Sequence, residues 1–390
     1  MSGIKCAGIF LVILWITCSC EQKKQTESTK TGSVNTHTLA TDSTLAFDID
    51  KKTSLNNYFY DVLNIDGEEF LALINRNING IQIYSIADRK LYKKIQFPEE
   101  GPDGFPRLRA FTFVNPDSIF IVSLYAKDLW LVDIDGQIKK KYNAQNQGQP
   151  LFNLGAGFYS GVKPIYFNGK LYIHAFSKAV DSFNLAFFEP DNKIEIEIDP
   201  RNETWNYLDI GFPPLYEGNL WIGDISRDVG KDGTLVYSSA VNPEVTTYSL
   251  VDKKADAHKA DSRFINNIEP LLVSGDQNAM SRYFVETPRY TSLAYDKYND
   301  VYYRFVRHEL PTVDPKTGQR TEHDDAPFSI IILDSSFNQL GETKMEDLKH
   351  NMNAYFITKD GLYISNTNPK NPDLNEDVLS FTLFKLRKIE

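Results

Sequence analysis

Tyr302, Tyr303 and Arg304 place two aromatic hydroxyls and a guanidinium in one run. An arginine inside a strand either reaches a buried acid, because an isolated buried charge is costly, or points into the open. In the open it can clamp a carboxylate or phosphate through two parallel bonds. A second polar set lies in 99-EEGPDGF-105, where Glu99, Glu100 and Asp103 flank glycines. Two carboxyls could serve glycoside chemistry if held about 5–9 Å apart. The plainer reading is a turn shaped by Gly101, Pro102 and Gly104. Glu100, Asp103, Tyr303 and Arg304 are the expected ligand contacts, and no residue is assigned a catalytic role.

Other chemistry finds little support. His37, His174, His258, His308, His323 and His350 are dispersed, without a His-x-His or His-Glu-x-x-His pair, so no metal site is expected. His323-Asp324-Asp325 falls in the stretch 308–327, read as a solvated loop with at most a structural cation, since calcium sites need several oxygens at defined spacing. No Gly-x-Ser-x-Gly elbow, P-loop or dinucleotide fingerprint occurs, and no cofactor is expected. All 3 cysteines, Cys6, Cys18 and Cys20, precede residue 21. The rest of the chain therefore has no disulfide, thiol nucleophile or cysteine metal ligand.

Residues 1–19 read as an export signal, with Lys5 ahead of an apolar run too short to span a bilayer comfortably. Ser19-Cys20 resembles the end of a bacterial lipobox, although Thr17 stands where Leu is usual. The resemblance makes Cys20 the acylated first residue, with Cys18 the poorer alternative, and several acyl chains anchor a protein stably. Residues 20–44 are rich in Ser, Thr and Lys and read as a disordered tether. No acidic run follows Cys20, which turns the expectation toward the periplasmic face of the outer membrane. The net charge of −10 is scattered, so nothing suggests a nucleic-acid surface.

The elements that would position these residues repeat. An apolar strand, a tight polar turn and a second strand recur at 58–76, 111–123, 164–176, 225–239, 291–305 and 354–366. Asp135-Gly136, Asn168-Gly169, Asp232-Gly233 and Asp360-Gly361 suit the turns, since these residues tolerate positive φ. Third strands are expected at 80–90, 129–137, 183–193, 245–254 and 328–338, and outer strands at 91–97, 138–142 and 194–198. One such unit cannot bury its own faces, so the pattern predicts an all-β, six-bladed propeller over residues 45–390. A seventh blade at 205–224 is disfavoured by its two prolines, and that stretch reads as a connection. The last copy lacks an outer strand, while 44-TLAFDID-50 is spare. The N-terminal strand is expected to close the last blade and remove an open edge.

The whole of 45–390 resembles the six-bladed propeller lipoproteins of Bacteroidetes-type bacteria, in particular the family called domain of unknown function 4221. Its markers are 99-EEGPDGF-105, with Asp103 where the family often has Asn, and 295-YDKYNDVYYRF-305. That family carries no established activity, so the resemblance speaks to fold and localisation. The functional expectation is a membrane-anchored, non-catalytic module that binds a protein, peptide or glycan. A polysaccharide lyase or hydrolase acting at the propeller channel is the alternative.

Overall fold

The computed structural model describes residues 35–389 except 56, 124–127, 144–151, 155–158, 272–276, 323–324 and 346–347. Cys20, and residues 20–34 of the expected tether, lie outside the described residues. Six antiparallel sheets succeed one another along the chain. The first strand of each hairpin is Tyr60–Ile65, Leu108–Asn115, Ile165–Phe167, Ile225–Val229, Arg289–Asp296 and Tyr355–Thr358, for blades 1 to 6 in turn. Several of these first strands touch their neighbours in the next blade, and together they surround a central channel. Between blades lie the apolar clusters. Phe59, Leu63 and Phe111 fill the junction of blades 1 and 2, and Phe188, Tyr216 and Tyr237 that of blades 3 and 4. Burying such side chains stabilises the ring by roughly 1.5–3 kcal/mol each. Asn168 and Gly169 turn the blade 3 hairpin with φ of 49° and 82°, both in the left-handed region that Asn and Gly adopt cheaply.

Ring closure follows the expectation and extends it. His37–Asp48 pairs antiparallel with Val378–Lys388, from His37 opposite Lys388 to Asp48 opposite Val378. Leu45 and Phe47 enter the junction of blades 6 and 1 beside Tyr60 and Phe381. The closing strand starts at His37 rather than 44, so residues 37–44 belong to the ring and not to a tether. Their polar composition hides this because Thr41–Thr44 sit exposed at a bulge on an outer edge. The same strand also leans on blade 5. Thr343 Oγ1 accepts from Leu39 N at 2.8 Å, and a Cβ at Gly341 would lie 2.1 Å from the His37 carbonyl oxygen.

Blade 3 departs from the expected pattern. The stretch 183–193 is not its third strand; it is a loop with a 3-10 turn, Leu185–Phe188, whose start Asn184 caps by accepting from Ala186 N at 3.0 Å. Asp181, Pro190 and Asn192 break the strand, and Phe187 and Phe188 point inward instead. The third strand is Glu195–Asp199, which the sequence places outermost, and the outer one is Thr204–Tyr207, at the start of the supposed connection. Its charged alternation has another cause. Glu195 meets Arg227 at 2.6 Å with both side chains fully buried, while Glu197 accepts from Lys170 at 2.7 Å and Tyr172 at 3.1 Å.

His174, near that buried pair, is expected to make stability depend on pH. Burial, helped by the Arg227 charge, pushes its imidazole down to about 3, and the ring bonds the Ile194 carbonyl at 2.7 Å. The folded state therefore keeps His174 neutral, while the unfolded chain protonates it below about pH 6.5. Stability from this group is complete above that pH and is lost as pH falls toward 3. The loss is about 2–3 kcal/mol by about pH 4.5. Thermal melts at neutral and acid pH should show a smaller acid drop in His174→Gln than in the parent; equal drops would exclude His174 as the cause.

Candidate functional site

Arg304 lies in the second strand of blade 5, Val301–Arg307, and its side chain is fully buried. Its Nε donates to Ser238 Oγ at 2.9 Å, and its two terminal nitrogens donate to the carbonyls of Asn242, Pro243, Glu244 and Ala260 at 2.6–3.2 Å. The guanidinium also stacks 3.5 Å from the Tyr290 ring centroid. The expected buried acid is replaced by a ring of backbone carbonyls. Arg304 thus ties blade 5 to blade 4 and cannot meet a ligand. Tyr303 is likewise buried, donating to Asp296 at 3.0 Å. The structure corrects both expectations, and the reason is strand position: a second strand faces neighbouring blades, not the channel.

Glu100 and Asp103 are exposed in the turn between blades 1 and 2, where Gly104 N donates to Gly101 O at 2.9 Å. Asp103 lies 3.9 Å from Lys141, on the outer strand of blade 2, and the turn does not line the cavity described below. In the 308–327 loop, Asp325 sits 3.4 Å from Lys370, and His323 and Asp324 fall outside the described residues. Among the described residues no group of three or more His, Asp or Glu is placed to hold a metal ion.

The channel itself is blocked. A 3-10 turn, Ser160–Val162, arrives from the connection between blades 2 and 3 and crosses to the opposite side. Ser160 N donates to Tyr58 O at 2.9 Å, and its hydroxyl lies 3.0 Å from both Tyr60 N and Tyr60 O and 3.2 Å from Tyr355 O. Ser226 Oγ donates to Gly161 O at 3.0 Å and accepts from Leu293 N at 2.8 Å. Glycine is needed there, since a Cβ at 161 would come 2.4 Å from that hydroxyl. Blades 1, 4, 5 and 6 therefore meet on one short plug. No sequence pattern marks it.

Below the plug, on the side of the hairpin turns, a cavity of about 260 Å³ remains. Lys163, which follows the plug, projects into it and meets Asp61 of blade 1 at 2.6 Å. Its carbonyl is held from behind by Arg227 at 2.9 Å. Asp228 of blade 4 accepts from Val229 N at 2.8 Å and Tyr295 N at 2.9 Å. Burial works against the Lys163 ammonium, yet Asp61 and Asp228 outweigh it and hold its pKa above the ordinary lysine value. Burial raises the Asp228 carboxyl, partly offset by Lys163 and the two backbone donors. At the mouth, Tyr298 of blade 5 donates to Glu69 of blade 1 at 2.6 Å, and Lys359 N of blade 6 approaches the same oxygen at 3.3 Å. Tyr295 donates to Asp300 at 2.7 Å. The sequence signal for this site is slight: Asp61 in the first strand of blade 1, and the adjacent Arg227 and Asp228 in that of blade 4.

The family model described as Domain of unknown function (DUF4221) matches residues 36–344. This chain belongs to the DUF4221 family. A family member from Bacteroides vulgatus superposes with a TM-score of 0.76 at 23% identity, covering 91% of this chain and 99% of that one. A Bacteroides fragilis protein classed as exported gives 0.54 at 10% identity, covering 91% and 96%. Both likenesses concern the fold. A virginiamycin B lyase from Staphylococcus aureus reaches only 0.42 at 11% identity over 87% and 99%, too distant to bear on function. Comparison with curated proteins found no match.

Proposed function

We propose that this DUF4221 protein is a lipid-anchored propeller of the bacterial envelope that binds the end of a protein, peptide or glycan without turning it over. The observation that carries the reading is the blind cavity under the plug, the place where first strands of four blades converge on Asp61, Lys163 and Asp228. Its volume falls below the roughly 300–1,000 Å³ of drug-sized sites, which suits one side chain or terminal sugar rather than a polymer segment. Lys163, its pKa raised by the carboxylates beside it, is not poised as a base. Glycan and peptide arrays probed with the purified protein test the reading, and it requires that Asp228→Asn weaken whichever ligand is found. Turnover of such a ligand, abolished by one carboxylate substitution, would overturn it.

Cys20 supplies the anchor in this reading, placing the propeller on the periplasmic face of the outer membrane. Support comes from the export-signal pattern and from the exported class of a structural relative. No described helix is long and apolar enough to cross a membrane. Cys20→Ala should shift the protein from the membrane fraction to the soluble one and end palmitate labelling. Continued labelling would assign the anchor to Cys18 or elsewhere.

A further inference from the structure

We propose that the cavity under the plug takes a lysine-like ammonium group of a peptide partner. The inference rests on the binding reading above and names the chemistry of that site. Three carboxylates, those of Asp61, Glu69 and Asp228, line the cavity against two ammonium groups, those of Lys163 and Lys297. The inner group is the more one-sided: two acids face the single Lys163. The field there is negative enough to keep Lys163 charged against its own burial.

The mouth adds an independent feature. Lys297 Nζ stands 5.1 Å from the Tyr298 ring centroid, in the range of a cation–π contact. Tyr298 is 43% exposed, and its hydroxyl is engaged by Glu69, which fixes the ring while leaving surface open. Tyr295 is fixed in the same way by Asp300. The protein's own lysines thus occupy both halves of the site, one against the acids and one on the aromatic rim. Lys297 lies in an exposed hairpin turn and makes no ion pair among the described residues, so it is a removable rival for an incoming ammonium. A guest bearing such a group would lie over Tyr298 and reach toward Asp228.

The charge sign also separates this guest from others. An anionic sugar or phosphate would pair with Lys297 at the rim but would then meet the carboxylates of Asp61 and Asp228 deeper in. A neutral sugar would gain hydrogen bonds but nothing from the field. An ammonium gains from both the acids and the rings.

Fluorescence anisotropy with a labelled tetralysine peptide and its fully Nζ-acetylated counterpart tests the proposal on the mature chain. The expected result is binding at least tenfold tighter for the free amine, weakening as salt rises. Asp228→Asn should weaken it by a further order of magnitude. Lys297→Ala, on an exposed turn where folding is not at stake, should tighten it severalfold by removing the rival charge. Equal binding of the acetylated peptide, or weaker binding in Lys297→Ala, would overturn the proposal. Capture of a neutral or anionic glycan in place of the peptide would overturn it too, while leaving the binding reading intact. Failure of every peptide and glycan would defeat both.

Discussion

A chain beginning at Ile49, without the closing strand, is expected to lose most of its folding stability, whereas one beginning at Val34 should melt with the full chain. The shorter chain loses the buried Leu39, Leu45 and Phe47, worth roughly 5–9 kcal/mol together at 1.5–3 kcal/mol each. It also exposes Val378–Lys388 as an unpaired strand edge. Domains of this kind have about 5–15 kcal/mol in total, so the loss is comparable with the whole. Urea titration followed by circular dichroism checks this, and coincident midpoints for the two truncations would show that the strand is no latch. Gly341→Val gives a milder version, because its side chain would strike the His37 carbonyl.

Arg304→Ala is expected to destabilise the domain by about 3–5 kcal/mol, through the cavity it leaves and the carbonyls of blade 4 it strips of donors. Arg304→Lys should recover little, since an ammonium cannot present a planar fork to several acceptors at once. Asp103→Ala, at a side chain 78% exposed, should change stability by less than about 0.5 kcal/mol. The measurement is the shift in urea midpoint. An Arg304→Ala protein with unchanged midpoint and lost ligand binding would make Arg304 a ligand contact and not a tie between blades.

These two residues show what the sequence can and cannot convey. All six hairpins are legible because their signals are local: alternation, and turn residues such as Asn168-Gly169 that fix the connection. Closure is legible in outline from a missing strand at one end and a spare one at the other. Blade 3 misleads because Phe183, Leu185 and Phe187 alternate as a strand would while Pro190 and Asn192 bend the chain. Arg304 is conspicuous in composition, but only the fold tells whether it faces a channel or a neighbouring blade. The plug is silent for a further reason: Ser160 meets Tyr355 across 195 residues, and Ser226 meets Gly161 across 65. Lys163 and Asp61 are brought together across 102 residues. Only the assembled ring makes a site of them.

Ring closure also sets an order in time. Asp48 pairs with Val378, so residues made early face a wait for some of the last. Throughout it the apolar flank of blade 1 has no sixth blade to cover it, and the contact that completes the ring is among the most non-local the chain contains. Folding cannot finish blade by blade from the N-terminus. The last step is a meeting of the two ends, and the early blades must stay soluble until it happens.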